Sequence, residues 1–134
     1  MGYAYTINEE RNLIVLRFRG RIDFSEEIEA IISVFKDPRV KPDVYVIIER
    51  TQSSVETDPA KVGLYFEIIT ESVSGLGRPK IAVIVADEID FNIMKLMNLQ
   101  SEVHLNHDYK IFKNLKDALN WLEVEPAIIS ISDL

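Results

Sequence analysis

The sequence has no cysteine. Disulfides, thiol nucleophiles and thiolate metal sites are thereby excluded, and a reducing compartment fits. Long apolar runs are also missing. No stretch approaches the roughly 20 residues that a membrane-spanning helix needs. The first residues lack the basic stretch and apolar block of a signal peptide, so the expected location is cytoplasmic. Positive charge is in the minority, with 15 Lys and Arg against 22 Asp and Glu, a net charge of −7 and a pI near 4.8. That balance argues against nonspecific binding to nucleic acid or to an anionic membrane, since either needs a basic face. Internal repeats, low-complexity segments and domain linkers are absent.

What is present describes a soluble globule. Hydrophobic residues make up 47% and charged residues 28% of 134 residues, enough for one domain with a real core. The chain is organised around Asp43 to Gly63. Val44-Tyr45-Val46-Ile47-Ile48 is β-branched and apolar, as in a strand covered on both faces. Glu49-Arg50-Thr51-Gln52-Ser53-Ser54 reads as a polar loop, and Asp58-Pro59 as a capping residue followed by a helix start. Ligands and partners of open sheets bind at the carboxyl ends of strands, so a working surface is expected here.

The remaining elements follow from periodicity. Tyr3, Tyr5 and Ile7 alternate as a strand, Asn8 to Asn12 form a turn, and Leu13 to Phe18 return antiparallel, with Gly20 ending the second strand. Asp23 or Ser25 caps a helix whose buried stripe is Ile28, Ile31, Ile32 and Phe35, while Glu26, Glu27 and Glu29 face water. Val62, Tyr65, Phe66 and Ile69 repeat that stripe in a second helix. Gly75 and Gly77 break the chain before Ile81 to Val85, the most apolar strand. A third helix is expected near Phe91 to Glu102 and a last strand at Tyr109 to Phe112. Asn114 with Asp117 caps a final helix that buries Leu115, Ala118, Leu119 and Leu122. One hairpin followed by alternating units implies an α/β domain with a mixed, mostly parallel sheet.

This order resembles the STAS domain of the anti-sigma-factor antagonists, and more closely the SpoIIAA-like, or STAS/SEC14-like, family. The residues that carry the likeness are Asn12 to Gly20, Lys80 to Asp87, Ile111-Phe112 and Asp117 to Leu122. The resemblance implies a single domain over residues 1–124, with a five-stranded sheet, an N-terminal β-hairpin and four helices. Residues 125–134 then form an apolar tail, either an extra strand on the same sheet or a contact in a homodimer. The family's phosphorylated serine motif does not carry over. Thr57-Asp58-Pro59-Ala60 stands at the corresponding position, and Asp58 puts a fixed charge there.

The candidate partner-binding residues are Thr51, Ser53, Ser54, Thr57 and Asp58, hydroxyls and a carboxylate before a helix start that attracts anions. A solvated turn is the commoner outcome for such residues. Phe91, Met94 and Met97 lie in a stretch apolar on more than one face, which fits a groove for a partner or lipid, or simply a helix packed on two sides. Glu102, His104, His107 and Asp108 are close in sequence, but the spacing matches no metal motif and reads as a solvated connector. Glu49 reads as a strand-end carboxylate bonded to a neighbouring turn rather than a general base. No catalytic set, metal or cofactor is expected. Two readings remain: a non-enzymatic regulatory module that binds a protein partner, and a carrier of a small lipophilic ligand. An enzyme ranks third.

Overall fold

The computed structural model describes residues 2–55, 58–88, 91, 92, 94, 95 and 106–124. Strand β1 (Tyr3–Asn8) pairs antiparallel with β2 (Leu13–Ile22), from Tyr3↔Phe18 to Asn8↔Leu13. Asn12 closes the hairpin at φ 51°, a left-handed conformation that asparagine tolerates. Its side-chain amide donates to the carbonyls of Lys41 and Pro42, tying the hairpin to the chain entering the next strand. Contrary to the sequence reading, β2 does not stop at Gly20. The glycine takes φ 76° and the pairing continues through Gly20↔Ser53 to Ile22↔Val55. Glycine bears that φ without a steric penalty, and an equally long neighbour rewards continuation.

Helix α1 (Phe24–Lys36) starts at Asp23, whose carboxylate accepts the Glu26 amide at 2.9 Å. Its buried face is Glu27, Ala30, Ile31, Val34 and Phe35, while Ile28 and Ile32 are half-buried. The stripe is therefore turned by one position from the expected one, and Glu27 points inward instead of facing water. The reason lies on β3, in the buried Arg50, described below.

Strand β3 (Tyr45–Val55) is the middle of a sheet ordered β1-β2-β3-β4-β5, with β4 (Lys80–Ile84) and β5 (Asp108–Phe112) parallel to it. The stretch Glu49 to Ser54 is strand rather than loop, because β2 continues beside it. Asp58 caps the 3-10 turn Pro59–Lys61, accepting the Ala60 amide at 2.9 Å, and helix α2 (Val62–Ser72) follows. Gly75 and Gly77 adopt positive φ in the turn before β4, as expected of a tight connection. Asp43 pins that turn by accepting the Arg78 amide. Helix α3 (Leu115–Leu122) is capped by Asn114, as the sequence indicates, and buries Ala118, Leu119 and Leu122.

The sheet separates two cores. On one face Ile14, Leu16, Phe18, Val46, Ile48, Ile81 and Val83 meet α1 and α2, and on the other Val15, Ile47, Ala82, Ile84 and Phe112 meet α3. Residues Ile81 to Val85 are buried on both sides, as their composition indicates. Three α-helices, not four, are described; of the helix expected near Phe91 to Glu102, only Phe91, Asn92, Met94 and Lys95 fall among the described residues. The tail 125–134 lies outside them, so both its possible roles remain expectations. No helix among the described residues is long and apolar enough to cross a membrane.

Candidate functional site

Strand β3 outruns β4. The pairing of β3 with β4 ends at Glu49↔Ile84, whereas β3 continues beside β2 as far as Val55. Past Glu49, one flank of β3 therefore borders a gap where the chain after β4 turns away. The gap is an open cleft of about 200 Å³ lined by Arg50, Thr51, Ser53, Ser54, Val85, Ala86 and Asp87. It sits at the carboxyl ends of two parallel strands, where open α/β sheets bind ligands and partners.

A bulge shapes its floor. The register steps from Arg17↔Glu49 to Arg19↔Gln52, so two residues of β2 span three of β3. The extra residue reverses the alternation and puts both Arg50 and Ser53 on the face toward α1 and α2. A bulge also frees backbone donors, and Glu49 answers one of them. Its Oε1 accepts the Thr51 amide at 2.6 Å, and also the Thr51 hydroxyl. Glu49 Oε2 accepts from Arg19 at 2.6 Å. The sequence reading places Glu49 at a strand end, bonded to a neighbouring turn; it lies inside β3 instead and bonds Thr51 across the bulge. The Ser53 hydroxyl donates to the Arg50 carbonyl at 2.9 Å.

Beneath the cleft lies a polar cluster set in apolar core. Arg50 is 7% and Glu27 5% exposed, with Arg50 Nη1 3.8 Å from Glu27 Oε1 and 3.1 Å from Met94 Sδ. The hydroxyls of Tyr65 and Tyr109 are 3.4 Å apart next to this pair. Burial raises both phenols, Tyr109 to about 12, so neither ionises near neutral pH. Phe66 packs edge-on against both tyrosines and closes the cluster from below.

No family model and no curated protein matches this sequence. Solved structures do match. An uncharacterized protein from Shewanella loihica PV-4, of the DUF3478 family with a SpoIIAA-like fold, superimposes with a TM-score of 0.54 at 18% identity over 90% of this chain and 94% of that one. The anti-sigma factor antagonist SpoIIAA, in its unphosphorylated form, gives 0.53 at 15% identity over 90% and 97%. The chain has a SpoIIAA-like fold. At such identities the likeness concerns architecture, and the side chains must be argued on their own.

Within this SpoIIAA-like fold, Thr51, Ser53 and Ser54 come together at the cleft, with Thr51 and Ser54 exposed and Ser53 half-buried. Asp58 caps its turn and is not among the cleft residues. Thr57 and Met97 lie outside the described residues. Of the expected apolar groove, Met94 is buried against Arg50 and Phe91 is half-buried on the core, so these two form packing rather than an open lining. Glu102 and His104 lie outside the described residues, and no set of three potential metal ligands gathers among the described ones.

His107 departs most from its expectation as part of a solvated connector. It is 1% exposed at the start of β5. Asn106 donates its side-chain amide to the Thr70 carbonyl at 3.0 Å, which turns its oxygen toward His107 Nδ1, also at 3.0 Å. Nδ1 therefore carries the proton, and Nε2 is a buried acceptor with no partner among the described residues. Burial first, and Arg78 next, lower its pKa to about 4, against a smaller opposing pull from Asp108.

Sequence reasoning missed Arg50 and Glu27 as members of the cluster. A signal existed for each. Arg50 continues the inward alternation of Val46 and Ile48. Glu27 precedes Ile31 and Val34 at helical spacing.

Proposed function

We propose that this chain is a non-enzymatic regulatory module of the STAS type, and that it meets a protein partner through the carboxyl ends of β3 and β4. The observation that carries this reading is the cleft: open, small, polar, and placed where this architecture offers a binding edge. A volume of about 200 Å³ is below the range of pockets that enclose a drug-sized molecule, so recognition here is of a protruding group and the surface around it. Thr51 and Ser54 are exposed at its rim, with the Thr51 hydroxyl bonded to Glu49. Asp58, which caps the turn before α2, continues the candidate surface along the chain. Acid and hydroxyl in place of the family's phosphorylated serine imply a partner contact that does not depend on a phosphorylation switch at that position.

The test is affinity capture with the full chain and with Ser54→Arg, which fills the cleft mouth with a long cation. Loss of a reproducible partner by the variant, at an unchanged melting temperature, is the expected result. Equal capture by both proteins would move the partner surface elsewhere. The carrier of a small lipophilic ligand has less support, since Phe91 and Met94 face the core. Native mass spectrometry of freshly purified protein separates the two readings: a retained apolar ligand favours the carrier.

A further inference from the structure

We infer that the cleft is an oxyanion site, in which Arg50 and Ser54 receive a carboxylate or phosphate group. The inference rests on the reading of this cleft as the working surface and names the chemistry it recognises. Arg50 is the decisive residue. A guanidinium carries five N–H donors in a planar fork that matches carboxylate and phosphate oxygens. Among the described residues, the one hydrogen-bond acceptor of that fork is the thioether of Met94, a weak one. Glu27 lies at 3.8 Å, which balances the charge but exceeds hydrogen-bond length. A cation this buried is ordinarily surrounded by good acceptors. Arg50 instead lines an open cleft together with hydroxyl side chains.

The neighbouring hydroxyls are not equivalent. Thr51 gives its proton to Glu49 and Ser53 gives its own to the Arg50 carbonyl. Ser54 lies on the opposite face of β3 from Arg50 and Ser53 but is exposed at the same cleft, so it is the hydroxyl placed to meet a ligand from the rim. The backbone supplies more donors, because among the described residues β3 has no strand partner on its β4 side past Glu49. Two features oppose an anion. Asp87 also lines the cleft, and the chain carries a net charge of −7. Binding therefore comes from the directed donors rather than from a basic field, and the affinity for a small free ion is modest.

The experiment follows the Arg50 Nε–H and Ser54 amide resonances of the full chain by NMR at fixed ionic strength. The probes are inorganic phosphate, acetate and doubly blocked phosphoserine. The expected result is a saturable shift of both resonances with at least one probe, about tenfold weaker in Arg50→Lys, which keeps the charge but loses the fork. Because a core variant can fail to fold, Ser54→Val at the exposed rim is the second variant, expected to weaken binding several-fold. Blocked phosphoserine binding well above phosphate assigns the group to a protein chain; equal binding assigns it to a free small anion. Either supports the site. No saturable shift with any probe, or shifts unchanged in folded Arg50→Lys and Ser54→Val, overturns it. Partner capture that persists without anion binding removes the oxyanion and leaves the module, whereas anion binding without any partner does the reverse.

Discussion

Lowering the pH from 7 to 5 should cost this protein stability through one side chain, His107. In the folded state it is held neutral, with a pKa of about 4 against 6.5 for a free imidazole. Between those values the unfolded chain binds a proton that the folded chain refuses. Stability therefore rises with pH across this window, is fully present above about pH 6.5, and is lost progressively on acidification. At about 1.4 kcal/mol per pH unit, the loss between pH 7 and pH 5 comes to about 2 kcal/mol. The groups around the ring leave no easy escape: Asn106 holds Nδ1, Tyr109 packs edge-on, and Arg78 disfavours added charge, with Asp108 the one acid among the described residues acting against it. Asp37 and Glu88, whose ion pairs lower their pKa values, lose their contributions only below this window. Urea unfolding of the parent and of His107→Phe at pH 7, 6 and 5 isolates the effect. The variant shifts the level of stability, but its pH slope should be flat. Equal slopes in both proteins would refute the assignment of the proton to His107.

Two further predictions concern the cores. Val83→Asp places a charge at a fully buried position of β4, and since such burial costs several kcal/mol the variant should not fold, as read by circular dichroism. A cooperative melt like that of the parent would contradict the burial of β4. Arg50→Met removes the cation paired with the buried Glu27 and should cost about 3–5 kcal/mol in urea unfolding, most of it recovered by adding Glu27→Gln. Failure of the second substitution to recover stability would show that Glu27 does not need Arg50.

The SpoIIAA-like order of elements was legible in the sequence because its causes are local. Alternation marked β1 and β2, the unbroken Ile81 to Val85 run marked a strand covered on both faces, and Asp23 and Asn114 announced their helices by capping chemistry. Polarity misled where a distant partner decides the outcome. Glu27 resembled any solvated acid in a first helical turn, and Arg50, brought beside it by folding, offsets the burial of its charge. The hydroxyl-rich stretch after Ile48 resembled a loop, because whether a polar segment continues as strand depends on the neighbour that pairs with it, here β2 running on through Gly20. The cleft has no local signature at all. It exists because β3 is longer than β4 and carries one extra residue in a bulge, and both are relations between strands far apart in the chain. Periodicity and capping are properties of a segment, so the sequence by itself determined the elements; the pairing of charges, the length of β3 and the opening beside it arise only between segments, so the tertiary structure decided the site.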